Sequence, residues 1–106
     1  MAKQSIITSL QKYINLLQEE GITIDKAFLY GSYASETENE DSDIDLMLVS
    51  RQFDKADDLV FGKIWALTKK VNSRIEPYIV GMVKFENDSL SPIIQIVKAQ
   101  GLEIAC

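Results

Sequence analysis

The sequence predicts an α+β (α/β) domain, in which a small β-sheet of three to four strands is flanked by about four helices. Three short apolar segments, near residues 24–30, 43–50 and 74–81, have the length and apolar character of strands. Segments with apolar residues at helical spacing lie before, between and after them. A chain of 106 residues is expected to form one domain, residues 1–106, with one modest core.

The composition narrows the class of protein. Hydrophobic residues make up 46% and charged residues 25%, which is usual for a globular protein that does not enter a membrane. No apolar run reaches membrane-spanning length, and the first residues predict an amphipathic helix instead of a signal peptide. Cys106 is the only cysteine and cannot form an internal disulfide, so a cytoplasmic location is expected.

Charge and the missing histidine exclude several functions. The chain contains no histidine, which removes catalytic triads with histidine and zinc sites that need it. The net charge is −5, whereas nucleic-acid binding relies on Lys and Arg to neutralise phosphates. A nucleic-acid partner is therefore disfavoured.

The first part of the chain predicts a helix and a strand. Ile6, Leu10, Ile14 and Leu17 recur at helical spacing, so we expect a helix over residues 3–20. Gly21 follows at the position where helices commonly end. The first strand is predicted over 24–30, a short helix over 32–35 and a polar loop over 36–42.

The middle of the chain predicts a strand and a longer helix. After a strand over 43–50, Asp54 is expected to cap a helix that runs to about Asn72, with Asp57 favourable in its first turn. The third strand, 74–81, contains Pro77, which predicts either an edge strand or a strand with an irregular end.

The last part of the chain predicts a helix and a short tail. Residues 84–90 are polar and predict a loop. Ser91-Pro92 has the residues favoured at a helix start, and Gly101 ends that helix. The tail, 102–106, is expected to add an edge strand or to dock on a partner.

Two carboxylates stand out because they lie in an apolar strand. Asp43 and Asp45 are two residues apart and therefore project from the same face of the strand. Carboxylates held this close repel each other unless a cation lies between them, and Mg²⁺ prefers such oxygen ligands. Glu76, in the third strand, would supply a third ligand; the alternative is an exposed edge-strand glutamate.

Gly31-Ser32 forms the second candidate feature. A glycine directly after a strand lets the backbone turn sharply and approach a ligand closely. A serine next to it can cap a short helix and donate to a phosphate, and helix starts attract anions. A phosphate-binding turn beside a Mg²⁺-binding strand is suited to phosphoryl or nucleotidyl transfer.

Gly31-Ser32-Tyr33-Ala34, followed by Ser42-Asp43-Ile44-Asp45-Leu46, resembles the signature of the polymerase-β-type nucleotidyltransferase superfamily, and within it the minimal nucleotidyltransferases (MNT). The resemblance covers residues 24–101. It implies a mixed sheet and transfer of AMP from ATP with two Mg²⁺ ions. It also implies that Asp43, Asp45 and Glu76 are the catalytic metal ligands and that Gly31 and Ser32 bind the β- and γ-phosphates.

The resemblance further implies a partner protein. Proteins similar to this one commonly pair with a helical HEPN protein in toxin–antitoxin systems. There the MNT subunit is the antitoxin and in some cases adenylylates a tyrosine hydroxyl of the toxin. A homo- or hetero-oligomer is therefore expected.

One departure from the family pattern keeps a second function open. The family usually has Gly-Ser-x-Ala-x-Gly, but the last position here is Glu36, which adds negative charge where a triphosphate would lie. The alternative is a catalytically weakened subunit that neutralises its partner by complex formation. A purely structural α/β domain is the third reading.

Overall fold

The computed structural model describes residues 2–31, 43–55 and 58–105. In this part of the chain the helices are α1 (Ala2–Glu19), α2 (Asp58–Thr68), α3 (Met82–Asn87) and α4 (Pro92–Gln100). The strands are β1 (Lys26–Tyr30), β2 (Ile44–Ser50), β3 (Ile75–Gly81) and β4 (Leu102–Ile104), and a 3-10 turn spans Arg51–Asp54. The predicted α+β class is confirmed.

The four strands form one mixed sheet in the order β3-β2-β1-β4. β1 is antiparallel to both β2 and β4, whereas β2 and β3 are parallel. Parallel neighbours need a crossover connection, and α2 lies in it. β3, with Pro77, is an edge strand as predicted, and Leu102–Ile104 of the tail forms the other edge.

Alternate residues of the strands face two different apolar layers, as strand geometry requires. Ala27, Leu29, Ile44, Leu46 and Leu48 pack with α1 and α2. The opposite face of the sheet packs with α3 and α4 through buried residues. These are Met47, Val49, Val80, Met82, Phe85, Ile94 and Val97. This second face of the sheet also carries Asp43, Asp45 and Glu76, because these residues alternate along their strands with residues that face the first layer.

The two helices of the first layer are joined by a buried hydrogen bond. The hydroxyl of Tyr13 in α1 donates to the carbonyl oxygen of Ile64 in α2 at 2.6 Å. Burial raises the pKa of Tyr13. At the surface, Lys63 pairs with Glu20 at 2.8 Å and lowers its pKa. α1 ends as predicted, because Gly21 follows it with a φ of 85°.

The predicted role of Asp54 is wrong. Ser50 caps the 3-10 turn instead, by accepting from the backbone N–H of Gln52 at 3.1 Å, and the next helix begins only at Asp58. The Asp54 carboxylate accepts from the N–H of Val83 at 3.0 Å, in the first turn of α3. Asp57 lies outside the described residues.

The predicted end of that helix is also too late. α2 ends at Thr68, and Asn72 follows in a turn in which its N–H donates to the Thr68 carbonyl oxygen at 2.8 Å. Its apolar side packs in the first layer, since Ile64 and Leu67 are buried and Val60 packs against them.

The loop predicted over 84–90 is wrong for its first part, because Met82–Asn87 is helical. Phe85 of this helix is buried and stacks on Phe28 of β1, with ring centroids 5.4 Å apart. Asp88 then turns the chain: its carboxylate accepts from the N–H groups of Leu90 and Ser91 at 2.8 and 2.9 Å. α4 begins at Pro92 as predicted, although the Ser91 side chain makes no capping bond.

Within the described residues, none of the helices has the combination of length and apolar character that a membrane crossing requires. The short helix expected over 32–35 and the loop over 36–42 also lie outside these residues.

Candidate functional site

The candidate site lies at one end of the sheet, where β1 finishes and β2 and β3 start. Asp45 of β2 is the register partner of Tyr30 in antiparallel β1 and of Glu76 in parallel β3. Three strands therefore bring Tyr30, Asp45 and Glu76 into one row across the sheet. Gly31 directly follows the row on the β1 side, and Asp43 directly precedes β2.

The three acidic side chains predicted from the sequence lie close together. Asp43 and Glu76 are hydrogen-bonded to each other, which raises the pKa of Glu76, and burial and the charges of Asp43 and Asp45 raise it further. Burial and then the charge of Asp43 raise the pKa of Asp45. No cationic side chain contributes to either shift. Within the described residues, the cluster therefore concentrates negative charge.

Gly31 is shaped by its contact with this cluster. Its φ is 76°, in the region that residues with a side chain rarely adopt. A Cβ atom placed on Gly31 would overlap the Oδ2 atom of Asp45 and lie 3.1 Å from its Cγ atom. Only glycine allows the strand end and the carboxylate to approach this closely. Ser32, the other residue predicted to bind phosphate, lies outside the described residues.

Two tyrosines that were given no role in the sequence analysis border the cluster. Burial and the nearby Asp45, Tyr78 and Glu76 raise the pKa of Tyr30 to about 12. Tyr78 lies two residues after Glu76 on the same face of β3 and is 38% exposed. Their positions in the sequence could have indicated them, because Tyr30 directly precedes Gly31 and Tyr78 lies two residues after Glu76.

The donor set fits a hard divalent cation, although the side chains are not yet arranged around one. Three carboxylates that lie close together are the kind of ligands that Mg²⁺ prefers, and the pKa values of two of them, Asp45 and Glu76, are raised. Among residues 2–31, 43–55 and 58–105, no three side chains form a ready metal-binding group.

The arrangement is suited to a polyanionic substrate that arrives with a cation. The carboxylates would repel a phosphate alone, whereas a cation between them reverses the local charge. A backbone turn at Gly31 adjoins Asp45 on one side, and on the other side the exposed Tyr78 lies two residues beyond Glu76 on the same face of β3.

The sequence matches one known family over most of its length. Residues 11–105 match the family described as polymerase beta nucleotidyltransferase. Among curated proteins, none matches the sequence closely enough to count as a relative.

Solved structures share the fold at low sequence identity. A toxin–antitoxin structure with AMP-PNP is 24% identical, with a TM-score of 0.60, over 89% of this chain and 71% of that one. A candidate nucleotidyltransferase from Sulfolobus solfataricus is 10% identical, with a TM-score of 0.62, over 95% and 80%. A mutant toxin–antitoxin structure named MntA-HpeT is 20% identical, with a TM-score of 0.55, over 99% and 73%.

Proposed function

Since this chain belongs to the polymerase beta nucleotidyltransferase family, we propose that it is a Mg²⁺-dependent nucleotidyltransferase that transfers AMP from ATP to a hydroxyl of a partner protein. The observation that carries this proposal is the convergence of Asp43, Asp45 and Glu76 beside Gly31 at one end of the sheet. This set would bind both the metal and the phosphates that the reaction needs.

In the proposed reaction, each residue has a definite task. Asp43, Asp45 and Glu76 would hold Mg²⁺, with two ions expected, and the metal supplies charge neutralisation of the phosphates and a lower pKa for the attacking hydroxyl. Gly31, whose backbone closely approaches Asp45, and Ser32 would hold the β- and γ-phosphates. With the triphosphate held in this way, the α-phosphate would be open to in-line attack by the hydroxyl, and pyrophosphate would leave towards Gly31.

We infer the kind of partner from the solved structures that share this fold. Two structures with this fold are toxin–antitoxin complexes, and one of them contains AMP-PNP. We propose that this chain, as a single domain of residues 1–106, is the antitoxin subunit that acts on a helical HEPN-type partner in the cytoplasm. Its net charge of −5 supports a protein in preference to a nucleic acid as the acceptor.

The binding step can be tested without knowing the acceptor. Thermal unfolding is measured with and without Mg²⁺-ATP for the native chain and for the Asp43→Asn/Asp45→Asn variant. Ligand at 100 times its dissociation constant stabilises a protein by about 2.7 kcal/mol. We expect stabilisation of the native chain that the variant loses. Equal stabilisation of both proteins would place the nucleotide elsewhere and refute the proposed site.

A second candidate function is a subunit that binds its partner but transfers little AMP. Glu36 in place of the family glycine favours it, because this residue adds negative charge where a triphosphate would lie. Glu36→Gly is the discriminating variant. If Mg²⁺-ATP stabilises this variant but not the native chain, the weakened subunit is the better description.

A further inference from the structure

Tyr78 occupies a particular side of the candidate site. The strands that form the site lie in the order β3-β2-β1, so Gly31 and Tyr78 are on opposite sides of the carboxylates on β2. Neighbouring strands are about 4.8 Å apart, which separates the ends of β1 and β3 by roughly 10 Å. Across the sheet, the order is therefore Gly31 at the end of β1, Asp45 on β2, and then β3.

The geometry of in-line displacement then indicates the side from which the attacking hydroxyl would approach. The attacking oxygen and the leaving oxygen lie on opposite sides of the phosphorus atom. If pyrophosphate leaves towards Gly31, as in the proposed function, the attacking hydroxyl approaches from the side of β3. The described residue of β3 that carries a hydroxyl group on this face is Tyr78.

Tyr78 is also accessible to solvent and lies close to Glu76. It is the most exposed described side chain of β3, with 38% exposure, whereas Val80, the next residue on that face, is 3% exposed beneath the helices. Tyr78 lies about 7 Å along the strand from Glu76, a distance that a tyrosine side chain spans.

We propose that the chain adenylylates itself on the hydroxyl of Tyr78 when it binds a nucleoside triphosphate with a divalent cation and no partner. This inference rests on the proposed nucleotidyl transfer and adds an acceptor to it. The phenolic oxygen of Tyr78 forms a bond to the α-phosphorus, and the bond from that phosphorus to the bridging oxygen breaks. The bonding electrons leave with pyrophosphate, and the phenolic proton passes through a site carboxylate to water.

The experiment first establishes binding and then looks for the adenylate. The native chain, Tyr78→Phe and Asp45→Asn are each incubated with Mg²⁺ and ATP, and peptide mass spectrometry locates any added AMP. We expect one AMP on the peptide that contains Tyr78 in the native chain and none in either variant. Tyr78→Phe keeps the ring, so it should retain the thermal stabilisation by Mg²⁺-ATP. The peptide with the exposed Thr8 hydroxyl serves as an internal control without modification.

A second readout does not depend on transfer. Exposed tyrosines react with a nitrating reagent, so Tyr78 should react in the free chain and become protected by Mg²⁺ with AMP-PNP, whereas buried Tyr13 should resist in both states. In Asp45→Asn the nucleotide should give Tyr78 no protection.

The outcomes separate this inference from the proposed function. Stabilisation by Mg²⁺-ATP together with AMP on Tyr78 supports both. Stabilisation with no AMP on the chain, or with AMP on another residue, overturns the self-modification and leaves the proposed function standing. If Mg²⁺-nucleotide neither stabilises the native chain nor protects Tyr78 from nitration, the proposed function is overturned, and so is the inference that rests on it.

Discussion

The carboxylate of Asp45 occupies the space that a side chain at Gly31 would need. The end of β1 and the centre of the candidate site are therefore in direct contact, and the close packing of Gly31 against the Asp45 carboxylate restricts the position of both. The roles proposed for them, a metal ligand and a phosphate-binding turn, would need such a fixed separation to act on one substrate.

Gly31→Ala is therefore expected to destabilise the chain for two reasons. The positive φ costs a residue with a side chain about 1–2 kcal/mol, and the overlap with Asp45 adds to this cost. Gly21→Ala is the matched control, since Gly21 has a φ of 85° but a Cβ atom added to it would meet nothing within 4 Å. Urea unfolding should show the larger loss for Gly31→Ala. Equal losses would mean that Asp45 moves aside freely.

Asp45→Asn should stabilise the chain in the absence of divalent cations. Asp45 and Glu76 are direct cross-strand partners, and like charges in such a pair destabilise by roughly 0.2–1 kcal/mol. Glu103→Gln removes the same charge from β4 and serves as the control. Urea unfolding in a chelator should show a gain for Asp45→Asn alone, and Mg²⁺ should stabilise the native chain but not this variant. A loss of stability in the chelator would contradict the argument.

Asp54→Ala should destabilise α3, because the Asp54 carboxylate accepts the N–H of Val83 in place of a capping side chain at Gly81. Loss of such a cap costs about 0.5–2 kcal/mol. Asp54→Asn keeps an acceptor oxygen and should lose less. The measurement is urea unfolding at neutral pH. Full stability of Asp54→Ala would show that water replaces the carboxylate without cost.

Asp88 should make part of the stability dependent on pH. The N–H groups of Leu90 and Ser91 lower the pKa of Asp88 from its ordinary value of 3.8. A lowered pKa means that the contribution is complete above the pKa of the unfolded chain and disappears as the pH falls through the lower, folded value. Asp88→Asn should be less stable than the native chain at pH 7, and the difference should shrink below about pH 4. A difference that is constant with pH would exclude the charge as its origin.

Strand positions and the alternation of their residues could be predicted from the sequence. Asp43 and Asp45 stand out because acids are rare in apolar strands, and the i, i+2 rule then places them on one face without a structure. That Glu76 is the register partner of Asp45 could not be read from the pattern, because register depends on how two distant strands pair. The binding roles of Asp43, Asp45, Glu76, Gly31 and Ser32 remain predictions.

The errors arose where short-range signals compete with tertiary contacts. Asp54 has the residue type of a helix cap, but its hydrogen bond goes to Val83, which is distant in sequence. α3 was missed because a helix of six residues is too short to show a period, and its two buried residues, Met82 and Phe85, are held by packing on β1 and β2.

The parallel pairing of β2 and β3 also fixes when the site can come into existence. Asp45 and Glu76 meet only after the crossover through α2 has been made and β3 has been laid beside β2. During synthesis on the ribosome, a nascent chain that has emerged only as far as α2 holds Asp43, Asp45 and Gly31 but not the third acid. The three carboxylates are thus brought together in one step, when β3 has left the exit tunnel and pairs with β2.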